Sequence, residues 1–456
     1  MYDVAVIGGG SGGYAAAIRA AQLGAKVVLM EATDLGGTCV NRGCIPSKVW
    51  LRAADLLQRV RSGAEFGLNV TDAKTDFAAV VDRKNGVAAD IRMGMGALLQ
   101  NNGVEIVTGR ALLIGPHVID VEGRTVEAKK IILATGSSLA PPGEAIPERA
   151  ILTTDQVLDM SAPPASVLIC GAEYIEVEMA HLLNTFGCKV TMATETARIL
   201  PREDAETSQR VSQALRAAGV EVILRGTVET MQESENGVRC NIGGKNAQTL
   251  TVEKILVSKR VPNTSRMGLD KSGVTLNGDS GVRVDEYLRT SVKGIYAIGD
   301  AAGGWMLSHA ASSMAVFAAE NAMGQNNKYP FGLIPRCLWT TPQMGSVGLS
   351  EDEAEDQGFD VETGSFPYSI NGLAMVHGEV DGAVKIVYDV RYGEILGVHI
   401  VGTNATEIIN EAVIAMQLEC TVQELARGIR VHPTFSEAVV DAARDARNWA
   451  LFLPRG

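Results

Sequence analysis

Two cysteines with four residues between them, Cys39-Val40-Asn41-Arg42-Gly43-Cys44, stand directly before Ile45-Pro46-Ser47-Lys48, in a chain that opens on a glycine-rich loop. A close cysteine pair has three readings: a weak metal site, chance, or a couple that cycles between dithiol and disulfide. The glycine-rich loop favours the third, a redox disulfide working beside a flavin. In a reducing compartment such a disulfide is transient and catalytic. Proline suits a first helical turn, so Ile45-Pro46-Ser47-Lys48 is expected to start a helix whose free N–H groups favour an anion. Cys44 is then the expected thiolate. One sulfur of such a couple must meet the substrate while the other stays with the electron partner; the expectation is Cys39 for exchange and Cys44 for the flavin. Cys170, Cys188, Cys240, Cys337 and Cys420 are scattered singly, which argues against zinc, and no metal is expected.

Gly36-Gly37-Thr38-Cys39 followed by Cys44-Ile45-Pro46-Ser47-Lys48 resembles the active-site pattern of the pyridine nucleotide disulfide oxidoreductases, and their dihydrolipoamide-oxidising branch most closely. The likeness runs from Tyr2 to about Ala446. Glutathione reductases usually carry a second lysine in place of Ser47, and mercuric reductases a cysteine pair near the C-terminus, where Cys420 is the last cysteine here.

The resemblance implies roles for further residues. His432-Pro433-Thr434-Phe435-Ser436-Glu437 is similar to the family's proton-handling dyad, with His432 as base and Glu437 as its orienter. A dithiol attacks a disulfide only as a thiolate, and histidine titrates near neutral pH. By itself His432 is more simply a hydrogen-bonded loop histidine; Glu437 and the cysteine pair turn the reading to catalysis. Arg430 stands where the family often has another histidine. In the family the dyad reaches across a dimer interface, so an obligate homodimer is expected. Glu178 matches the family glutamate that pairs with the lysine beside the flavin, here Lys48.

The strand-like run Val4-Ala5-Val6-Ile7 leads into Gly8-Gly9-Gly10-Ser11-Gly12-Gly13 and then an alanine-rich helix. This is GxGxxG in its proper setting: Gly8 for the turn, Gly10 for approach of the pyrophosphate, Gly13 for packing of helix on strand. Val27-Val28-Leu29-Met30 ends in Glu31, an acid placed to hold a ribose hydroxyl. With the cysteines just beyond, the loop reads as an FAD site that also takes in Ser11, Gly12, Gly37, Thr38 and Lys48. Similarity to the family's FAD contacts adds Ala111, Thr135, Gly136, Ser137, Asp300, Met306, Leu307, Ser308 and His309.

A second such start follows Val167-Leu168-Ile169-Cys170, where the family receives NAD. It reads Gly171-Ala172-Glu173-Tyr174-Ile175-Glu176, with glutamates at the second and third glycine positions. A glutamate beside a phosphate at ~4 Å and an effective dielectric near ~20 costs about 4 kcal/mol. The strand Lys189-Val190-Thr191-Met192-Ala193 ends on Thr194 where an acid is expected, with Glu195 one residue late, and Lys259 replaces a family glycine. Two readings follow. Either the loop still admits NAD, since glutamate in a first turn also stabilises a helix, or Glu173 or Glu176, paired with Lys259, closes the site.

The elements that must position these groups suggest an α/β chain with two Rossmann-like dinucleotide-binding domains and a C-terminal α+β dimerisation domain. The expected boundaries are 1–138 for the first part of the FAD domain, 139–263 for an NAD-like domain, 264–330 for the return to the FAD domain, and 331–456 for the interface domain. The 456 residues carry a formal charge of −12, which argues against nucleic acid, and no run approaches membrane-spanning length. The first residues already read as a strand, so a cytoplasmic setting is expected. The whole implies oxidation of dihydrolipoyl groups, held by a lipoyl carrier protein or lipoyl domain on another chain, through Cys39–Cys44 and FAD to NAD. The alternatives are a same-fold enzyme that uses another redox protein, and a non-catalytic flavin-binding scaffold.

Overall fold

The computed structural model describes residues 1–143 and 146–454. Tyr2–Ile7 is apolar from Val4 to Ile7, and those four residues are buried, as a parallel strand covered on both faces requires. It pairs in parallel with Val27–Glu31 on one side and Arg124–Leu133 on the other. Ile295–Ala297 returns from far along the chain to pair in parallel with Arg124–Leu133. The helices Ser11–Gln22 and Ser308–Ala322 pack together through buried Ala16, Ala20, Ala315 and Ala318, small side chains that let two backbones come close. The same sheet continues as an antiparallel meander through Val118–Val121 and Ala111–Gly115. Tight turns rather than crossover helices join these antiparallel strands.

Ser166–Cys170 is the middle of a second parallel sheet, between Lys189–Thr194 and Lys254–Val257. A three-stranded antiparallel sheet, Gly226–Ser234, Gly237–Gly244 and Gln248–Val252, is added to it. The sequence reading did not separate this sheet from its surroundings. The third large sheet is antiparallel and contains Met344–Gly348, Ala383–Asp389 and Ile395–Val401. Its core joins Val384, Ile386 and Ile400 to Ile409 and Val439, which lie on the helices Ala405–Gln417 and Glu437–Ala446.

Arg336 of the third sheet reaches Glu203 beside the second, at 2.6 Å, with side chains 5% and 0% exposed. A buried pair of this kind is held by mutual compensation, since either charge alone is costly to bury. Burial opposes ionisation of Glu203, but the charge and hydrogen bonds of Arg336 override it and hold the carboxyl below its ordinary range. Among the described residues no helix is long and apolar enough to cross a membrane.

Candidate active site

Three constraints shape the first glycine-rich loop. Gly8 has φ +102, and a Cβ there would lie 2.3 Å from the Ala134 carbonyl oxygen. A Cβ at Gly13 would lie 1.7 Å from the Gly8 carbonyl oxygen, so the helix can approach only without a side chain. At Gly10 the nearest atom to such a Cβ is the Gly37 Cα at 3.8 Å; a side chain there would fill an open cradle. That cradle, at the start of the helix Ser11–Gln22, suits a pyrophosphate met by backbone N–H groups. The residues therefore fit FAD.

Around the cradle, Glu31 ends its strand with one oxygen accepting from Gly9 N–H at 2.7 Å and the other from Thr33 N–H at 2.8 Å. Ser11 and Ser308 hydroxyls meet at 2.6 Å across the two packed helices. Thr38, Ser137 and Asp300 are joined through Arg260: its guanidinium donates to Ser137 Oγ at 2.9 Å and to Thr38 Oγ1 at 3.2 Å, and Ser137 Oγ bonds Asp300 at 2.5 Å. Thr135 Oγ1 donates to the Asn263 carbonyl at 2.9 Å, and Gly136 has φ +69. Ala111 starts its strand and is buried. Met306, Leu307, Ser308 and His309 run into the helix Ser308–Ala322, with His309 Nε2 2.7 Å from the Pro335 carbonyl oxygen.

Cys39 lies in the short helix Gly37–Arg42, and Cys44 is the first residue of the helix Cys44–Arg61, with Gly43 between. Both are free thiols. The hydrogen bond with Cys44, helped by those with Ser308 and Ser11, lowers Cys39 to about 6 against its burial. The same bond, burial and the charge of Cys39 push Cys44 well above the ordinary thiol range. The two titrate as one couple that holds a single proton near neutral pH. Within the reduced couple the hydrogen bonds from Cys44, Ser308 and Ser11 converge on Cys39.

Lys48 Nζ lies 3.0 Å from Glu178 Oε2 and 4.0 Å from the centre of the Trp339 ring, and Trp339 N–H donates to Glu178 Oε1 at 3.0 Å. His432 Nδ1 lies 2.9 Å from Glu437 Oε1, while Glu437 Oε2 accepts from Thr434 N–H at 2.7 Å. The His432 side chain is 78% exposed, and no hydrogen bond joins it to Cys39 or Cys44 of its own chain. Arg430 is taken up by Glu411 at 2.8 Å.

In the second loop Glu173 caps the helix Tyr174–Thr185, and Glu176 is buried within its first turn. Neither pairs with Lys259, contrary to expectation: Lys259 is exposed and forms no ion pair with a described carboxylate. Glu173 instead faces Arg202 at 3.5 Å, and Glu176 accepts from Ser258 Oγ at 2.5 Å and from Glu173 N–H at 3.1 Å. Gly171 keeps φ +125, Thr194 turns its hydroxyl to Thr196 at 2.8 Å, and Glu195 is exposed. Arg260, Trp339 and Ser258 were not singled out in the sequence. Arg260 and Ser258 flank Lys259; nothing pointed to Trp339.

A redox couple at a helix start, beside a glycine cradle on a parallel sheet, defines a flavin-linked disulfide oxidoreductase. The profile of the family described as pyridine nucleotide-disulphide oxidoreductase matches residues 2–315, and that family's dimerisation domain matches residues 334–443. The chain belongs to this family, and it is an FAD-dependent enzyme acting on sulfur groups. It is 39% identical to dihydrolipoyl dehydrogenase of Bacillus subtilis and 37% identical to that of Zymomonas mobilis, with 99% of each chain covered in both cases. Among solved structures, LpdA from Mycobacterium tuberculosis matches with TM-score 0.89 at 27% identity, covering 97% of this chain and 99% of that one. The HOCl-induced flavoprotein disulfide reductase RclA from Escherichia coli matches with TM-score 0.85 at 27% identity, with the same coverage. The dimerisation domain makes the functional unit a homodimer.

Proposed function

We propose that the chain oxidises dihydrolipoyl groups carried by a lipoyl domain or carrier protein on another chain. The observation that carries this is the cysteine couple at the start of Cys44–Arg61, flanked by Lys48–Glu178, together with full-length likeness to dihydrolipoyl dehydrogenases. A substrate thiolate attacks Cys39 of the disulfide, forming a mixed disulfide and releasing Cys44 as thiolate. The second substrate thiol, deprotonated by His432 of the other subunit, attacks the substrate sulfur of that mixed disulfide and releases Cys39. The substrate leaves as its cyclic disulfide, the couple carries two electrons, and His432, oriented by Glu437, holds a proton. Lys48, paired with Glu178, stands beside the couple. FAD, when bound in the glycine cradle, supplies a two-electron acceptor for the reduced couple. The exposed His432–Glu437 pair, with Ile429 at 95% and Val431 at 76% exposure beside it, supports its use on a second copy. A cytoplasmic location is part of the same reading.

The test is an anaerobic titration of the FAD-loaded homodimer with dihydrolipoamide, followed by flavin absorbance. Reduction within seconds that is lost in C39S and C44S supports the reading. An unchanged spectrum at excess dithiol sinks it.

A further inference from the structure

The two glycine-rich loops are built on one backbone plan. Gly8 N–H donates to the Met30 carbonyl at 2.8 Å, and Gly171 N–H to the Ala193 carbonyl at 2.8 Å. Tyr14 N–H donates to Gly10 and Val177 N–H to Glu173, both at 3.0 Å. Gly10 thus corresponds to Glu173, Gly13 to Glu176, and Glu31 to Thr194. The side chains then diverge. Where the first loop has an open cradle at Gly10, the second carries Glu173, held at 3.5 Å by Arg202, which stacks 4.0 Å from the Trp305 ring centre. Where Gly13 leaves no room for a Cβ, Glu176 folds its carboxylate back over Gly171, so that a Cβ at that glycine would meet Glu176 Cγ at 3.4 Å. Where Glu31 ends its strand, Thr194 is buried and turned to its own chain.

We propose that this second dinucleotide site is closed by the protein itself. The Glu176 carboxylate, clasped by Ser258 Oγ and the Glu173 N–H, takes the helix-start place of a dinucleotide phosphate, and nicotinamide dinucleotides are excluded. The residues do not fit NAD. A phosphate at this helix start would have to displace a buried carboxylate, compete for an N–H already engaged, and approach two glutamates. One charge repulsion at ~4 Å and an effective dielectric near ~20 is worth at most roughly a thousandfold in affinity, and the Arg202 guanidinium beside Glu173 reduces that share. Closure does not rest on charge alone, because burial raises the Glu176 carboxyl against the pull of Ser258 and its backbone hydrogen bonds. In either protonation state its volume fills the loop. Glu176 is thereby a specificity-determining residue that decides which electron partner the flavin can meet.

Calorimetry and nucleotide fluorescence with the FAD-loaded homodimer test this without turnover. No saturable binding of NADH, NADPH or NAD to the wild-type protein at millimolar concentration is expected. E176Q, which keeps the volume and a hydrogen-bond acceptor, should stay closed. E173G/E176G, and the same pair with T194E, should gain binding by about a hundredfold or more. Should the glycine variants fail to fold, E176A replaces them. Saturable wild-type binding at micromolar NADH overturns the proposal, and so does a folded, FAD-loaded opened variant that binds no nucleotide. Dihydrolipoamide reduces the flavin in the wild type whatever the state of this site, so failure of the dithiol reading and failure of this one are separate results.

Discussion

Lys48 and Glu178 sit 3.0 Å apart although they come from helices 130 residues distant in the chain, and the same carboxylate also accepts from Trp339 N–H. One side chain therefore ties the helix of the cysteine couple to the second sheet's helix and to the start of the third sheet. E178A leaves a buried N–H without an acceptor and a largely buried ammonium without its counter-ion. We expect it to cost about 1–3 kcal/mol, read as a lower thermal midpoint. E178Q keeps the acceptor and should lose less; equal losses would show that the Trp339 bond contributes nothing.

The couple's acidity is visible in its alkylation. With Cys39 lowered to about 6, the thiolate is present above that pH, so iodoacetamide labelling of Cys39 in the reduced protein should rise through pH 6 and level off by about pH 7. Replacing Cys44 by serine exchanges the thiol donor for a hydroxyl and should move the midpoint. Peptide mapping that finds Cys44 labelled first, with a midpoint near that of a free thiol, contradicts the assignment.

H432Q should slow flavin reduction by dihydrolipoamide roughly a hundred- to ten-thousandfold, the usual share of a general base. The thermal midpoint should barely move, because glutamine keeps a donor for Glu437. Mixed dimers pairing C44S with H432Q separate the geometries. If the dyad serves the partner's couple, one site in each mixed dimer is intact and activity returns; complete inactivity would mean that each chain uses its own histidine.

R336M leaves Glu203 buried without its counter-charge, at an expected cost of about 3–5 kcal/mol. In the wild type the Glu203 pKa lies below its ordinary value, so its contribution is present above the unfolded pKa and lost as pH falls. In the variant burial, opposed only by His399 and the Tyr174 hydroxyl, raises that pKa, which reverses the sign: stability is lost as pH rises. The gap between the two melting temperatures should widen from pH 5 to pH 8, and a constant gap would refute the coupling.

Much of the site was readable from local spacing. Cys39, Cys44 and Lys48 occupy one turn and the residues beside it, Gly8, Gly10 and Gly13 share one loop, and His432 and Glu437 are five residues apart. What escaped depends on contacts between distant segments. The partner of Glu176 is Ser258, 82 residues away, and only the meeting of two strand ends selects it over its neighbour Lys259. Besides its bond with Cys44, Cys39 receives hydrogen bonds from Ser308 and Ser11, residues that the spacing of the couple does not name. The appended sheet at Gly226–Val252 was missed because alternating polar and apolar residues do not say which strands pair.

The first turn of Tyr174–Thr185 is completed by the protein's own Glu176 and Ser258. Ligands that bind only the folded state raise apparent stability by mass action, and a loop finished from within has no such contribution to lose. The order of this half of the molecule is then independent of the cell's supply of NADH or NADPH, so starvation that empties those pools leaves its folded lifetime and its resistance to proteolysis unchanged.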